Sequence, residues 1–319
     1  MDAASAPGGP CPGEDTLLRY TQAALDASEH GPVASHVAGC ERCRALVAAL
    51  GTAPESDRPT ERAPSRDVPA IGERVGKYRV ERVLGAGGMG VVLAARHVEL
   101  GSEVALKVMN LEGATSEDRA RFAREARAAA TLKSDHAARV HDVDTLPSGA
   151  PYMVMELLEG EDLAARVDRS GPLEPADVVA WMLQACDALA EAHERGVVHR
   201  DLKPQNLFLA ERRGGAPPAV KVLDFGLAKV DDRGQREGDS LTRTSVFMGT
   251  PYYMAPEQVR SAKNVDARTD VWALGACMYT LLTGEPPFPG PNVGAICKGI
   301  LEGAPRPLLD RRPDVSPGL

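Results

Sequence analysis

Nowhere in this chain does an apolar run approach the eighteen or so residues that cross a bilayer. The opening residues, MDAASAPGGPCPGEDTLL, also lack the basic segment and apolar stretch of a secretory leader. Basic charge is in short supply as well. The formal net charge is −8, whereas a protein that grips phosphate backbones needs a basic face. No internal repeat is visible. A membrane segment and a nucleic-acid partner are therefore not expected, and a cytoplasmic location is. What remains has the composition of a soluble globular protein, 43% hydrophobic and 26% charged, and at 319 residues is long enough for one large domain and a small one.

Cysteine is sparse too, and unevenly placed. Cys186, Cys277 and Cys297 stand singly in apolar helical patterns, where a free thiol packs as a small hydrophobe, so all three are expected to be buried. Cys40 and Cys43 instead cluster with His36 in HVAGCERCR, a metal-ligand spacing. Structural zinc takes four ligands. Cys11 and His30 are the candidates for the fourth. Cys11 is preferred because it precedes the helical pattern EDTLLRYTQAAL, so sharing a metal would clamp one helix to the next; His30 sits in the turn-like SEHGP. The plain alternative is an unmetallated cysteine pair on a helix. Some forty residues with two short helical patterns bury too little by themselves, and a zinc staple would supply the deficit.

Composition divides the chain into three. Residues 1–50 form the small helical module. Residues 51–76, with Pro54, Pro59, Pro64 and Pro69 among mixed charges and no apolar period, read as a disordered linker. Residues 77–319 read as a globular domain, strand-like first and helical later.

After the strand-like KYRVERVL comes GAGGMGVV, with Gly85, Gly87 and Gly90 in GxGxxG order. A dinucleotide fingerprint must open a helix. Here GVVLAARH continues as a strand, so the glycines belong to a hairpin, where bare backbone amides could approach phosphates. The next strand, SEVALKVM, sets Lys107 among apolar residues, and an ammonium there needs an anionic partner. Glu125, on the alanine-rich helix RARFAREARAAATL, is the candidate; the plain alternative is a solvated helix charge. VVHRDLKPQN then crowds His199, Arg200, Asp201, Lys203 and Asn206 between apolar segments, and VKVLDFG places Asp224 at a strand end. An aspartate and an asparagine converging there would offer hard oxygen ligands to magnesium.

Together with MVMELLEG, GTPYYMAPEQ and DVWALGACMYTLLTG, these stretches resemble the protein kinases, specifically the bacterial eukaryotic-like (Hanks-type) serine/threonine kinases, over roughly residues 77–319. The resemblance implies an α+β, bilobal fold: an N-lobe antiparallel sheet with one helix, then a mostly helical C-lobe. It implies ATP held by Leu84, Gly85, Ala86, Gly87, Gly88, Gly90, Val92 and Ala105, with Lys107 on the phosphates and paired with Glu125. Met155 would back the adenine pocket, and Glu156 to Leu158 would form the hinge. Asp201 would be the catalytic base, Lys203 would lie near the transferred phosphate, Asn206 and Asp224 would bind magnesium (or manganese), and Asp270 would anchor the catalytic loop. Lys203 and Thr250 mark the serine/threonine form. Asp201 and Asp224 are expected to carry catalysis while contributing little to folding. Arg200 suggests a phosphorylated activation segment, with Thr242, Thr244 and Ser245 as acceptors. Substrates would be proteins with serine or threonine.

The N-terminal stretch with His36, Cys40 and Cys43 resembles, in turn, the zinc-finger modules of bacterial anti-sigma factors. A sigma factor or another regulator is then a candidate partner. A signalling scaffold with a weak kinase fold, or an anti-sigma-like binding protein regulated by its kinase part, are the rival readings. The final run, PRPLLDRRPDVSPGL, is loop-like. In the kinases further helices follow and supply an arginine to the glutamate of APE, here Glu257. Arg260 and Arg268 come too early and Arg306, Arg311 and Arg312 lie in the loop. The C-lobe is thus expected to be short, with Glu257 a buried carboxylate lacking its partner, apolar surface of VWALGACMYTLL uncovered, and a fragment or a partner-dependent chain as the result.

Overall fold

The computed structural model describes residues 68–87, 90–111, 114–225, 251–261, 265–316 and 318, together with 31–34, 36, 37 and 40; the side chains at 117, 121, 125 and 213 fall outside this set. The chain divides into two units, Met1–Ala63 and Pro64–Leu319. In the first, residues 31–34, 36 and 37 are helical, and the Cys40 amide donates to the His36 carbonyl at 2.9 Å. Val33, Val37 and Cys40, spaced along one helical face, are buried. Cys11, His30 and Cys43 lie outside the described residues.

The second unit opens with a six-stranded sheet: β1 (Arg74–Val75), β2 (Tyr78–Gly87), β3 (Gly90–His97), β4 (Glu103–Met109), β5 (Val140–Thr145) and β6 (Pro151–Glu156), in spatial order β1-β2-β3-β4-β6-β5 and antiparallel throughout. Alternation decides which side chains share a face. Val91, Leu93, Ala95, Val104, Leu106, Val108, Tyr152 and Val154 build one core on one face. The residues between them, Val92, Ala105, Lys107, Met153 and Met155, present the other face, in register Val92 to Lys107 to Met153 and Ala105 to Met155. Helix α1 (Ser116–Ala129) packs Phe122, Ala126 and Ala129 into the core that includes Met153. It starts where Thr115 and Asp118 close a capping box.

The disordered linker expected through residue 76 stops earlier. Val75 is 3% exposed, β1 pairs with Arg79 and Tyr78, and the Gly72 amide donates to Val80 at 2.8 Å. A two-residue strand carries no readable period, so only its partner across the turn reveals it.

The rest is mainly helical: α2 (Leu163–Ser170), α3 (Pro175–Glu194), α4 (Pro256–Arg260), α5 (Arg268–Thr283), α6 (Val293–Glu302) and α7 (Leu308–Arg311), with a small sheet of β7 (Gly160–Asp162), β8 (Leu207–Ala210) and β9 (Ala219–Val222). Helix α3 begins at Pro175, where a missing amide is harmless. It buries Val178, Trp181, Met182, Ala185, Ala188, Leu189 and Ala192 against Cys277, Leu281 and Leu282 of α5 in a single core. No described helix is long and apolar enough to cross a membrane.

Three expectations about the helical half need correction. Of the cysteines, Cys277 is buried but Cys186 is exposed and Cys297 only partly covered, because helix rotation puts Cys186 beside the core stripe rather than in it. PRPLLDRRPDVSPGL is not all loop, since α7 forms a helical turn too short to leave a pattern. Glu257 is half-buried, not buried, and accepts the Thr269 hydroxyl at 3.0 Å. Arg311 pairs with Glu285, while Arg312 pairs with Asp314 at 2.8 Å and donates to the Leu173 and Leu282 carbonyls. On α5, Val271 is 65% exposed, yet Trp272 stacks on Phe288 with ring centroids 6.0 Å apart.

Candidate active site

Three segments deliver the polar residues. From the sheet, β4 projects Lys107, only 7% exposed, and its ammonium meets Asp224 Oδ1 at 2.5 Å. Asp224 ends the short extension of β9 in a left-handed conformation, φ 58°. The third segment runs from His199 to Asn206 and is tied to the second at two points. The Leu223 amide donates to the Asn206 carbonyl at 2.9 Å, and His199 Nε2 lies 2.7 Å from the Leu223 carbonyl. His199 is fully buried; its Nδ1 accepts the Asp201 amide at 3.3 Å, so the proton belongs on Nε2, which donates to Leu223.

The loop's shape is imposed from below. Asp270 on α5, with no exposed surface, accepts the His199 and Arg200 amides at 2.8 Å each and lies 2.7 Å from His193 Nε2. Gln258 Nε2 donates to the Arg200 carbonyl at 2.7 Å. Arg200 is held at φ 66°, a strained conformation for a long side chain, and its buried Nε has no hydrogen-bond partner among the described residues. Beneath the loop, burial pushes the Cys277 thiol well above the usual range, with Asp201 adding to the effect.

Within the loop, Lys203 Nζ meets Asp201 Oδ2 at 2.8 Å, and both side chains stay over a third exposed. Asn206 Nδ2 donates to the Asp201 carbonyl at 2.7 Å, which leaves its Oδ1 as the atom for a cation. The pieces therefore form one connected assembly: an ammonium and a carboxylate joining the sheet to the β9 extension, a second carboxylate with a lysine, and an asparagine bonded to both the Asp201 and Leu223 backbones.

The hairpin glycines differ in the room they have. Gly90, at φ 143°, has no room for a side chain, since an added Cβ would meet the Val108 carbonyl oxygen at 2.0 Å. Gly85 and Gly87 face open space. Leu84, Ala86 and Val92 lie on the same hairpin, in register Gly85 to Val92 and Ala86 to Val91. Ala105 faces Met155 across β4 and β6, and residues 156–158 leave β6 toward the helical half. Gly88, Thr242, Thr244, Ser245 and Thr250 lie outside the described residues, as does the side chain of Glu125, whose backbone is in α1.

Residues 78–308 match the protein kinase domain family. The chain belongs to the protein kinases. Its kinase domain is 44% identical over 246 residues to the serine/threonine-protein kinase Pkn1 of Myxococcus xanthus, an alignment covering 77% of this chain and 34% of that protein. It is 38% identical over 247 residues to PknB of Mycolicibacterium smegmatis, covering 76% of this chain and 38% of the relative. The chain thus spans between a third and two fifths of the length of these two curated relatives. Among solved structures, the PknI kinase domain of Mycobacterium tuberculosis superposes with a TM-score of 0.58 at 30% identity, over 77% of this chain and 86% of that one. The bilobal kinase fold expected from the motifs is the fold present.

Sequence reasoning overlooked several residues that shape this kinase site. Gln258 and Leu223 bond to the 199–206 loop directly, while His193 reaches Asp270, which anchors that loop. Only the apolar-to-polar break at the end of α3 hinted at His193.

Proposed function

We propose that this chain transfers the γ-phosphate of ATP to serine and threonine hydroxyls of proteins. The observation that carries the reading is the Lys107–Asp224 pair at 2.5 Å, locked to the Asp201–Asn206 loop through Leu223. A buried lysine paired with a partly exposed aspartate at the mouth of a gap suits a polyphosphate bound with divalent metal. Asn206 Oδ1 and Asp224 would hold Mg²⁺, which when bound neutralises phosphate charge. Lys107 would steer the α- and β-phosphates, and Gly85 and Gly87 leave their amides clear above them. Asp201, exposed and oriented by Asn206, would accept the proton of the attacking hydroxyl while Lys203 balances charge on the transferred group. The hydroxyl oxygen gains the phosphoryl group, ADP leaves, and the proton passes to Asp201. Mg-ATP, but not ATP with a chelator, should raise the melting temperature of the purified chain; equal shifts in both would contradict the metal assignment.

Arg200, strained and with an unpartnered Nε, supports control by phosphorylation of Thr242, Thr244 or Ser245. Mass spectrometry after incubation with ATP should find phosphate there, and alanine at all three should lower activity several-fold.

A second reading concerns the small N-terminal unit, which we propose binds one zinc through Cys11, His36, Cys40 and Cys43. The supporting observation is His36 Nε2, buried without a hydrogen-bond partner among the described residues, one turn from buried Cys40. A buried imidazole nitrogen left in this state suits a metal bond. No cluster of three or more ligating side chains gathers among the described residues, two of the four proposed ligands lying outside them. Thiolate ligands fit the reducing cytoplasm, where ATP is also supplied. A sigma factor is one partner to test with this unit. Metal analysis of the full chain should give about one zinc, lost on Cys11→Ser and kept on His30→Ala; the reverse pattern would transfer the role to His30.

A further inference from the structure

Behind the interlobe connection lies a cavity of about 660 Å³ lined by both halves of the kinase domain, including Arg96, His136, Glu156, Arg212 and Lys221. Lys107, Asp201, Asn206, Asp224 and the glycines of the β2–β3 turn do not line it. At its wall Lys221 Nζ meets Glu156 Oε1 at 2.7 Å, with the two side chains 16% and 26% exposed. The same carboxylate oxygen accepts the Arg139 amide at 2.8 Å, and the Glu156 amide returns a bond to the Arg139 carbonyl at 3.0 Å. Glu156 is thus held by three bonds to two residues, Lys221 and Arg139, at the point where β6 ends and the chain crosses between lobes.

The placement of this pair mirrors that of the catalytic one. Lys221 and Asp224 lie three residues apart on the β9 segment. Across from them, Lys107 and Val104 lie three apart on β4, and Val104 is the register partner of Glu156. The sheet therefore holds the β9 segment by two ion pairs of opposite polarity, Lys107–Asp224 in front and Glu156–Lys221 behind. On the kinase reading a bound nucleotide with metal would draw on both Lys107 and Asp224 and so would loosen the front pair. The rear pair needs no such change.

We propose that Glu156 and Lys221 are positioning residues: their ion pair is the pivot that keeps the β9–Asp224 segment in register with the sheet once nucleotide has parted Lys107 from Asp224. This rests on the kinase reading given above. The pair acts through Asp224 and touches no reacting atom. Losing it leaves the nucleotide contacts in place but loosens their alignment, so the loss falls on kcat more than on nucleotide affinity.

The test is a double-mutant cycle in the full chain with Lys221→Met and Glu156→Gln, the latter keeping an acceptor for the Arg139 amide. Each single variant should lower kcat by roughly tenfold, with KM for ATP changed less than about threefold. The double variant should be no worse than either single, and Lys221→Arg should retain most of the rate. A purely structural role would instead lower the melting temperature while the folded fraction kept its kcat, and that result would overturn the proposal. So would additive losses, or a rate increase, which would make the pair a restraint on lobe closure. Amide hydrogen exchange with Mg-ADP bound supplies a readout free of phosphoryl transfer. Residues 156–159 and 219–223 should gain exchange together in either single variant. If they do so while the unsubstituted chain transfers no phosphate, the kinase reading fails and the pivot stands; if they exchange independently, the pivot fails whatever the activity.

Discussion

Asp270 Oδ1 accepts the Arg200 amide at 2.8 Å from seventy residues away in sequence. With its other oxygen on the His199 amide, this buried carboxylate sets the backbone from which Asp201 and Asn206 project. Hydrogen bonds to a buried charge contribute about 1.5–3 kcal/mol each. Asp270→Ala should therefore lower the melting temperature by on the order of 10 °C and reduce phosphoryl transfer by more than tenfold. Asp270→Asn, which keeps one acceptor, should lose less of both. Unchanged activity in a folded Asp270→Ala protein would show that the loop holds its shape without this anchor.

The two aspartates proposed to carry catalysis should separate in their effect on stability, although the sequence suggested neither matters for folding. Asp201 is exposed beside Lys203, so Asp201→Asn should abolish activity with the melting temperature within about 2 °C of the parent. Asp224 is the counterion of Lys107, which is 7% exposed. Asp224→Asn should abolish activity and also lower the melting temperature clearly, because a buried ammonium loses its charge partner. Calorimetry of the two variants side by side checks this, and equal melting temperatures would contradict it.

Glycine substitutions divide in the same way. Gly90→Ala drives a methyl group into the Val108 carbonyl, 2.0 Å from the new Cβ, and should destabilise the hairpin and the protein. Gly85→Ala meets nothing within 4 Å and should leave stability unchanged while weakening nucleotide binding. Urea unfolding and ATP titration of both variants check the two halves separately.

What the sequence disclosed, and what it hid, follows from range. The β2–β3 hairpin, Lys107 in its apolar strand and the crowded polar run at 199–206 are local patterns, and each was legible without the fold. The Lys221–Glu156 pair joins segments 65 residues apart, and nothing local in either segment announces the pairing. His193 read as the last turn of an apolar helix, yet it reaches Asp270 at 2.7 Å. Val75 and the α7 turn were missed because two- and four-residue elements have no period. Glu257 was misjudged from a pairing rule, when its exposure depends on how α4 sits against Thr269.

Alkaline pH should weaken the fold through two tyrosines. Burial, with Asp144 and Asp142 nearby, pushes the Tyr152 phenol up to about 12; burial likewise pushes Tyr253 up to about 12. An unfolded tyrosine releases its proton near 10. Between those values the unfolded chain binds fewer protons than the folded one, so stability is fully present below about pH 10 and falls as pH rises toward 12. The urea midpoint should drop between pH 9.5 and 11.5, and less steeply in Tyr253→Phe. Parallel slopes would place the Tyr253 phenol in water.

The most direct measurement is phosphoryl transfer itself. The purified chain, incubated with Mg-ATP and a serine- and threonine-bearing protein, should place phosphate on those hydroxyls, and Asp201→Asn at the same concentration should lower the rate by at least a hundredfold while still binding ATP. Transfer that survives Asp201→Asn undiminished, or a folded chain that binds Mg-ATP and transfers nothing to itself or to any protein, would contradict the kinase reading.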